Sequence, residues 1–171
     1  MSTRNLDKLF RPESVAVIGA SNSPNAVGTV VMRNLLGGGF QGPVMPVNPG
    51  YRAVAGVLSY PDVVSLPVTP ELAIICTPPE TIPSLIDDLG GKGTHAAICL
   101  TAGLGRVVDQ PTGRKVVDLL EEKARALDIR ILGPNCVGAL VPGIHLNASF
   151  AHAPASPGKI AFVSQSGALC T

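Results

Sequence analysis

Charge is scarce in this chain of 171 residues. Asp, Glu, Lys and Arg make up 15% of it, and 13 basic against 12 acidic residues leave a formal net charge of +1. So even a balance supplies no broad basic face for nucleic acid, and any anion site has to be local. The first 15 residues lack the apolar stretch of a secretory signal, carrying instead Arg4, Asp7, Lys8, Arg11 and Glu13. A run of about 20 apolar residues, the length of a membrane span, is missing too. Residues 15–32 are uncharged, but Ser21, Asn22, Ser23, Pro24 and Asn25 interrupt them. These absences predict a soluble, cytoplasmic protein with neither a nucleic-acid nor a membrane partner.

Metal and nucleophile chemistry is equally sparse. Cys76, Cys99, Cys136 and Cys170 include no C-x-x-C pair, which argues against zinc or a dithiol centre and for buried free thiols. His95, His145 and His152 show no H-x-x-x-H spacing and no paired carboxylates nearby. Ser164 and Ser166 stand in SQSG, which is not the G-x-S-x-G nucleophile elbow. No catalytic set and no metal site are predicted, and Gly167, at an expected helix start, reads as a second anion cradle.

What the chain does have is apolar surface to bury. Apolar residues form 46% of it and its mean hydropathy is +0.35, enough for one sizeable core and incompatible with intrinsic disorder. Its 19 glycines and 16 prolines fall between the apolar runs, as turn punctuation does. Six of those runs, at 14–19 (SVAVIG), 44–48 (VMPVN), 72–77 (LAIICT), 95–101 (HAAICLT), 129–133 (IRILG) and 159–164 (KIAFVS), are apolar on both faces. That pattern predicts parallel strands covered on both sides. Helix-compatible stretches at 28–36, 79–89 and 111–127 alternate with them, giving an α/β fold with a doubly wound, Rossmann-like parallel sheet. Residues 51–69 read as irregular apart from a helical turn over 61–66. Residues 134–157 read as a long connection with one short strand near 146–150.

In such a fold the ligand lies beyond the carboxyl ends of the strands. The first strand is followed by GASNSPNAVG, residues 19–28. Gly19 suits a tight exit, Ala20 and Ser21 permit close backbone approach, and Gly28 opens a helix whose free N–H groups can hold a pyrophosphate without Lys or Arg. An ordinary strand-to-helix turn is the competing reading. The spacing is not G-x-G-x-x-G, and the second strand ends in Asn48-Pro49-Gly50-Tyr51-Arg52 with no carboxylate before Asp62, where an NAD site would place one. Arg52 can grip a ribose phosphate and Tyr51 can stack on adenine, which suits the 3′-phosphoadenosine of CoA or the 2′-phosphoadenosine of NADP. A solvated loop arginine and a packing tyrosine would look the same. The third and fourth strands end in ICTPPE and LTAGLG, where Thr77 and Thr101 offer hydroxyls, Pro78 and Pro79 start a helix, and Gly103 lets the chain pass close beneath a ligand. Asn135, in GPNCVG after the fifth, can bond a ligand or bridge loops. The candidate ligand-binding residues are therefore Gly19, Ala20, Ser21, Asn22, Asn25, Val27, Gly28, Asn48, Tyr51, Arg52, Cys76, Thr77, Pro78, Thr101, Ala102, Gly103 and Asn135.

GASNSPNAVG, NPGYRAVAGVLSYPDV, ICTPPE, LTAGLG, GPNCVG and PGKIAFVSQSGAL, in that order, resemble the CoA-binding domain of NDP-forming acyl-CoA synthetases. That family includes the succinyl-CoA synthetase alpha subunit and bacterial protein lysine acetyltransferases in which a synthetase-like region is fused to a GNAT-type domain. The resemblance implies a CoA or acetyl-CoA ligand, held by the first loop and the strand-end threonines. It also implies that residues 1–158 are the CoA-binding domain and that 159–171 begin the family's next domain, truncated here. The rest of a longer parent polypeptide is then the partner, and the phosphohistidine on which such synthetases rely lies beyond residue 171. Synthetases of the family often place a lysine directly after the Asn-Pro, where this chain has Gly50. With LDKLFRPESVAVIGAS and LNASF, that departure looks more like the acetyltransferase branch. An NADP-binding domain of an oxidoreductase is the alternative from a different class.

Overall fold

The computed structural model describes residues 3–167. In chain order its elements are α1 (Leu6–Phe10), β1 (Val15–Ile18), α2 (Val27–Gly38), β2 (Val44–Val47), β3 (Ala53–Val54), β4 (Val57–Leu58) and β5 (Leu72–Ile75). There follow α3 (Ile82–Lys92), β6 (Ala96–Cys99), α4 (Val116–Ala126), β7 (Arg130–Leu132), β8 (Gly138–Val141) and β9 (Leu146–Ser149). Short 3-10 turns at Pro79–Thr81 and Pro142–Ile144 precede α3 and β9. No helix among the described residues is long and apolar enough to cross a membrane.

Five strands form one parallel sheet in the order β2-β1-β5-β6-β7. Every residue of β1, β5 and β6 is buried, which is why these runs are apolar without alternation. The pleat sends Val15, Val17, Leu72, Ile74, Ala96 and Ile98 into a core with Val31, Met32 and Leu35 of α2. Their neighbours Ala16, Ile18, Ala73, Ile75, Ala97 and Cys99 meet Ile82, Ile86 and Leu89 of α3 and Leu120 of α4 on the other face. The sheet is therefore doubly wound as expected. Each fully buried Ile or Leu in these layers contributes about 1.5–3 kcal/mol relative to exposure. Pro46 lies in β2, at the sheet edge, where a missing N–H is tolerated.

Four local expectations are revised. The run at 159–164 joins no strand: Ile160 and Val163 are each 94% exposed and Phe162 71%, so among the described residues nothing pairs with or covers it. The third predicted helix starts at Val116 instead of 111, because the Asp109 carboxylate accepts the N–H and hydroxyl of Thr112 and a Val108–Lys115 bridge closes a turn there. Residues 51–69 contain the hairpin β3–β4. The connection after β7 contains not one strand but the antiparallel pair β8–β9, which places Ala139, Leu146 and Ala148 in the core beneath α2.

Candidate functional site

The strand order reverses between β1 and β5, so the crevice at their carboxyl ends is the topological switch point, where open α/β sheets bind ligands. Gly19 leaves β1 at φ +85°, and a β-carbon there would lie 2.9 Å from the carbonyl carbon of Cys76 at the end of β5. The two exits thus pack backbone to backbone, and only glycine permits it. The loop then folds on itself. The Ser21 hydroxyl accepts the Ser23 N–H at 3.0 Å, and the Thr29 hydroxyl stands 2.8 Å from the Ser21 carbonyl oxygen and 2.6 Å from that of Ser23.

Helix α2 begins directly after this loop with an open N-terminus. Its N-cap, Ala26, has no capping side chain, and no acidic residue stands in the first turn. Neither the Val27 nor the Gly28 N–H bonds another protein group among the described residues. The helix end therefore presents unneutralised partial positive charge and two free donors, which is what a phosphate requires.

A cleft of about 690 Å³ opens beside that helix end, within the range of small-molecule sites. Among its lining residues are Val27, Cys76, Thr77, Pro78, Thr101, Ala102 and Asn135, each expected from the strand ends. Gly19, Ala20, Ser21, Asn22, Asn25 and Gly28 form the adjoining loop instead of the cleft wall. Asn48 and Tyr51 brace that loop: the Asn48 amide donates to the Ala20 carbonyl at 2.7 Å, and the Tyr51 hydroxyl lies 3.4 Å from Ser21 Oγ. The Thr101 hydroxyl donates to the Thr77 carbonyl at 2.7 Å, and the Thr77 hydroxyl accepts from Thr81 at 2.8 Å, so both threonines also tie loops together. Asn135, at φ +58°, bridges through its backbone N–H to the Thr101 carbonyl at 3.1 Å and is one of the residues lining the cleft. Gly103 is at φ +84° with open space where a β-carbon would stand, so its conformation and not a protein contact calls for glycine.

The sequence reasoning missed Leu100, Cys136, Val137, Phe150 and Gln165 on the cleft wall, together with Thr29 behind the loop. Phe150 follows β9, and only the packing of that unforeseen hairpin brings it to the strand ends. Gly167, expected to cradle an anion, lines the cleft. Cys170 lies outside the described residues.

The Arg52 side chain is exposed, and among the described residues no hydrogen bond or ion pair engages its guanidinium. Burial pushes the Cys76 thiol up to about 12, with nearby Cys99 adding to it, and burial pushes Cys99 up to about 11. Burial raises Cys136 as well. These thiols stay protonated at neutral pH, so Cys76 and Cys136 give the cleft an apolar lining and Cys99 is a core residue, not a set of nucleophiles.

Comparison with known proteins places this arrangement in a family. The CoA binding domain family matches residues 13–142. The chain belongs to that family. CoA binding is thus supported as the motif resemblance implied, where the first loop and the absent carboxylate after β2 had left CoA and NADP both open. An ADP-forming acetate–CoA ligase I of Archaeoglobus fulgidus is 38% identical over 164 residues, covering 96% of this chain and 23% of the ligase. The alpha subunit of an ADP-forming acetate–CoA ligase II of Pyrococcus furiosus is 40% identical, covering 96% of this chain and 35% of that subunit. Among solved structures, acetyl-coenzyme A synthetase 1 of Ca. Korarchaeum cryptofilum, in complex with phosphate and ADP, superposes with a TM-score of 0.87 at 36% identity, over 96% of this chain and 34% of that one. The CoA-binding chain thus spans between about a quarter and a third of the length of these relatives.

Proposed function

We propose that this chain is the CoA-binding module of an ADP-forming acyl-CoA synthetase-like protein, and that the cleft beyond β1 and β5 is where CoA or its thioester sits. The observation that carries this reading is the open start of α2, with free Val27 and Gly28 N–H groups between a glycine-built loop and the cleft. In this reading the loop of Gly19, Ala20, Ser21, Asn25 and Gly28 takes the pyrophosphate. Arg52 reads the 3′-phosphate beside Tyr51, and pantetheine runs along Cys76, Thr77, Pro78, Thr101, Ala102, Gly103 and Asn135. Residues 1–158 form the binding module, and 159–171 open a following domain, which would cover the apolar side chains of Ile160, Phe162 and Val163. In this reading the protein is soluble and cytoplasmic. An NADP-dependent oxidoreductase is not favoured, since the family match is to CoA-binding domains.

In this reading the chain's own residues bind and orient, the thiols of Cys76, Cys99 and Cys136 staying protonated. Chemistry then belongs to the parent polypeptide. An acyl-CoA synthetase parent is supported by the ligases named above. A protein lysine acetyltransferase parent is the second reading, and Gly50 favours it. The Gly50 N–H donates to Asn48 Oδ1 at 2.8 Å, and a β-carbon at Gly50 would stand 3.3 Å from the same oxygen, a tight place for the lysine that synthetases often carry. The full-length parent, given acetyl-CoA, ADP and phosphate, is expected to release acetate and CoA and form ATP. Acetyl-lysine on a protein substrate without ATP formation would transfer the assignment to the second reading, and neither product would defeat both.

A further inference from the structure

Asn22 was expected to touch ligand, yet both ends of its amide are engaged elsewhere. Its Nδ2 donates to the Ala53 carbonyl at 2.9 Å, and its Oδ1 accepts the Ala55 N–H at 3.2 Å. Those two groups flank Val54, so the side chain pairs with the β3–β4 hairpin as a residue of a neighbouring parallel strand would. Val54 itself is fully buried in the core that also holds Ala20. The hairpin is thus anchored by an apolar side chain on one side and clasped by Asn22 at the exposed rim on the other.

The turn being clasped is strained. Between paired Val54 and Val57 stand Ala55 at φ +50° and Gly56 at φ +82°, the sign pattern of a type I′ turn. Such turns select Asn, Asp or Gly at the first central position, and alanine meets its carbonyl sterically there. A two-residue ladder with that turn would open readily without an external bond to the Ala55 N–H.

Resting on the CoA reading above, we infer that Asn22 is a positioning residue: by clasping the hairpin it holds loop 19–28 in its ligand-competent form before CoA arrives. Asn48, bonded to the Ala20 carbonyl, supports the same loop two residues before the clasp. Loss of the clasp lowers the fraction of molecules whose loop is competent, and apparent affinity falls by that fraction, through slower association.

The test uses the full chain with CoA and dephospho-CoA as probes. Asn22→Ala should weaken both about 5- to 10-fold, with the change in association rate and not in dissociation. In the ligand-free variant, amides of residues 20–27 and 53–57 should exchange faster with deuterium. Adding Ala55→Gly, which removes the steric strain the clasp opposes, should return both affinity and protection toward those of the unmodified chain. An unchanged affinity overturns the inference, and so does a rise confined to dissociation, which would place Asn22 on the ligand. A chain that binds no CoA at all would instead sink the functional reading. The exchange comparison would then still decide the clasp, since unchanged exchange in Asn22→Ala overturns it. Asn22 is exposed, so loss of the cooperative melt in Asn22→Ala would also contradict its placement as a rim clasp.

Discussion

Gly28 packs so closely on Gly19 that a β-carbon at Gly28 would stand 2.9 Å from the Gly19 carbonyl carbon and closer still to its oxygen. The glycine at the start of α2 is therefore required by the fold of the loop itself, and not only by access of a phosphate to the helix N–H groups. An exposed helical glycine replaced by alanine ordinarily gains up to about 1 kcal/mol from helix propensity. Here the clash is with backbone, which cannot rotate away, and overpacking of this kind typically costs about 1–3 kcal/mol. Gly28→Ala is thus expected to lower the melting temperature, and Gly28→Val to lower it further, with CoA affinity lost in parallel. A valine variant that melts like the unmodified chain yet fails to bind CoA would show that the glycine serves the ligand alone.

Arg52→Ala should weaken CoA by about 1.5–3 kcal/mol, the range for hydrogen bonds to charged groups, and leave dephospho-CoA nearly unaffected. The double difference between the two ligands isolates the 3′-phosphate. Equal losses for both would place the guanidinium on another phosphate or in the loop's support.

Thr94 offers a stability test far from the cleft. Its hydroxyl is buried and has no hydrogen-bond partner among the described residues, a state that costs about 1–3 kcal/mol against a satisfied or absent group. Thr94→Val keeps the shape and removes the hydroxyl. The variant is expected to melt at least as high as the unmodified chain, by about 2–4 °C per kcal/mol recovered. A marked fall in melting temperature would mean the hydroxyl has a partner in solution.

Legibility followed how far each signal had to reach. Strands β1, β5 and β6 were readable because both their faces are buried, which leaves an uninterrupted apolar run such as Leu72–Ile75. The glycines at 19 and 28 were readable as the ends of a tight strand-to-helix loop for a local reason as well, their position between strand and helix. Hairpin β3–β4 was not, since two-residue strands carry no period and Ala55 is not a residue that announces a positive φ. Strand β8 was hidden by the glycine and proline around it and is held by packing with β9 on α2, a tertiary cause. The engagement of Asn22 with partners 31 and 33 residues away lies beyond any local pattern. The continuous run at 159–164 misled for the converse reason: it has a strand's composition but no partner among the described residues.

Glu71 sets an acid limit on stability. Burial alone would raise its carboxyl, but the Lys8 ammonium at 2.6 Å and the Glu13 N–H at 2.9 Å more than offset this and hold it below the usual range. A carboxyl lowered in the folded state stabilises above its unfolded value, about 4.3, and that contribution is lost as pH falls through the lowered folded value. The melting temperature of the unmodified chain should therefore exceed that of Glu71→Gln at neutral pH, with the gap closing below about pH 4. A gap that stays constant into acid would show that the pair adds no pH-dependent stability.

Ligand choice is the central claim, and titration calorimetry of the full chain with CoA and with NADPH in one buffer tests it most directly. The match to CoA-binding domains over residues 13–142 predicts saturable binding of CoA that is clearly tighter than that of NADPH, since the open α2 terminus and the exposed Arg52 suit either phosphoadenosine ligand. NADPH binding as tight as CoA or tighter would contradict the account.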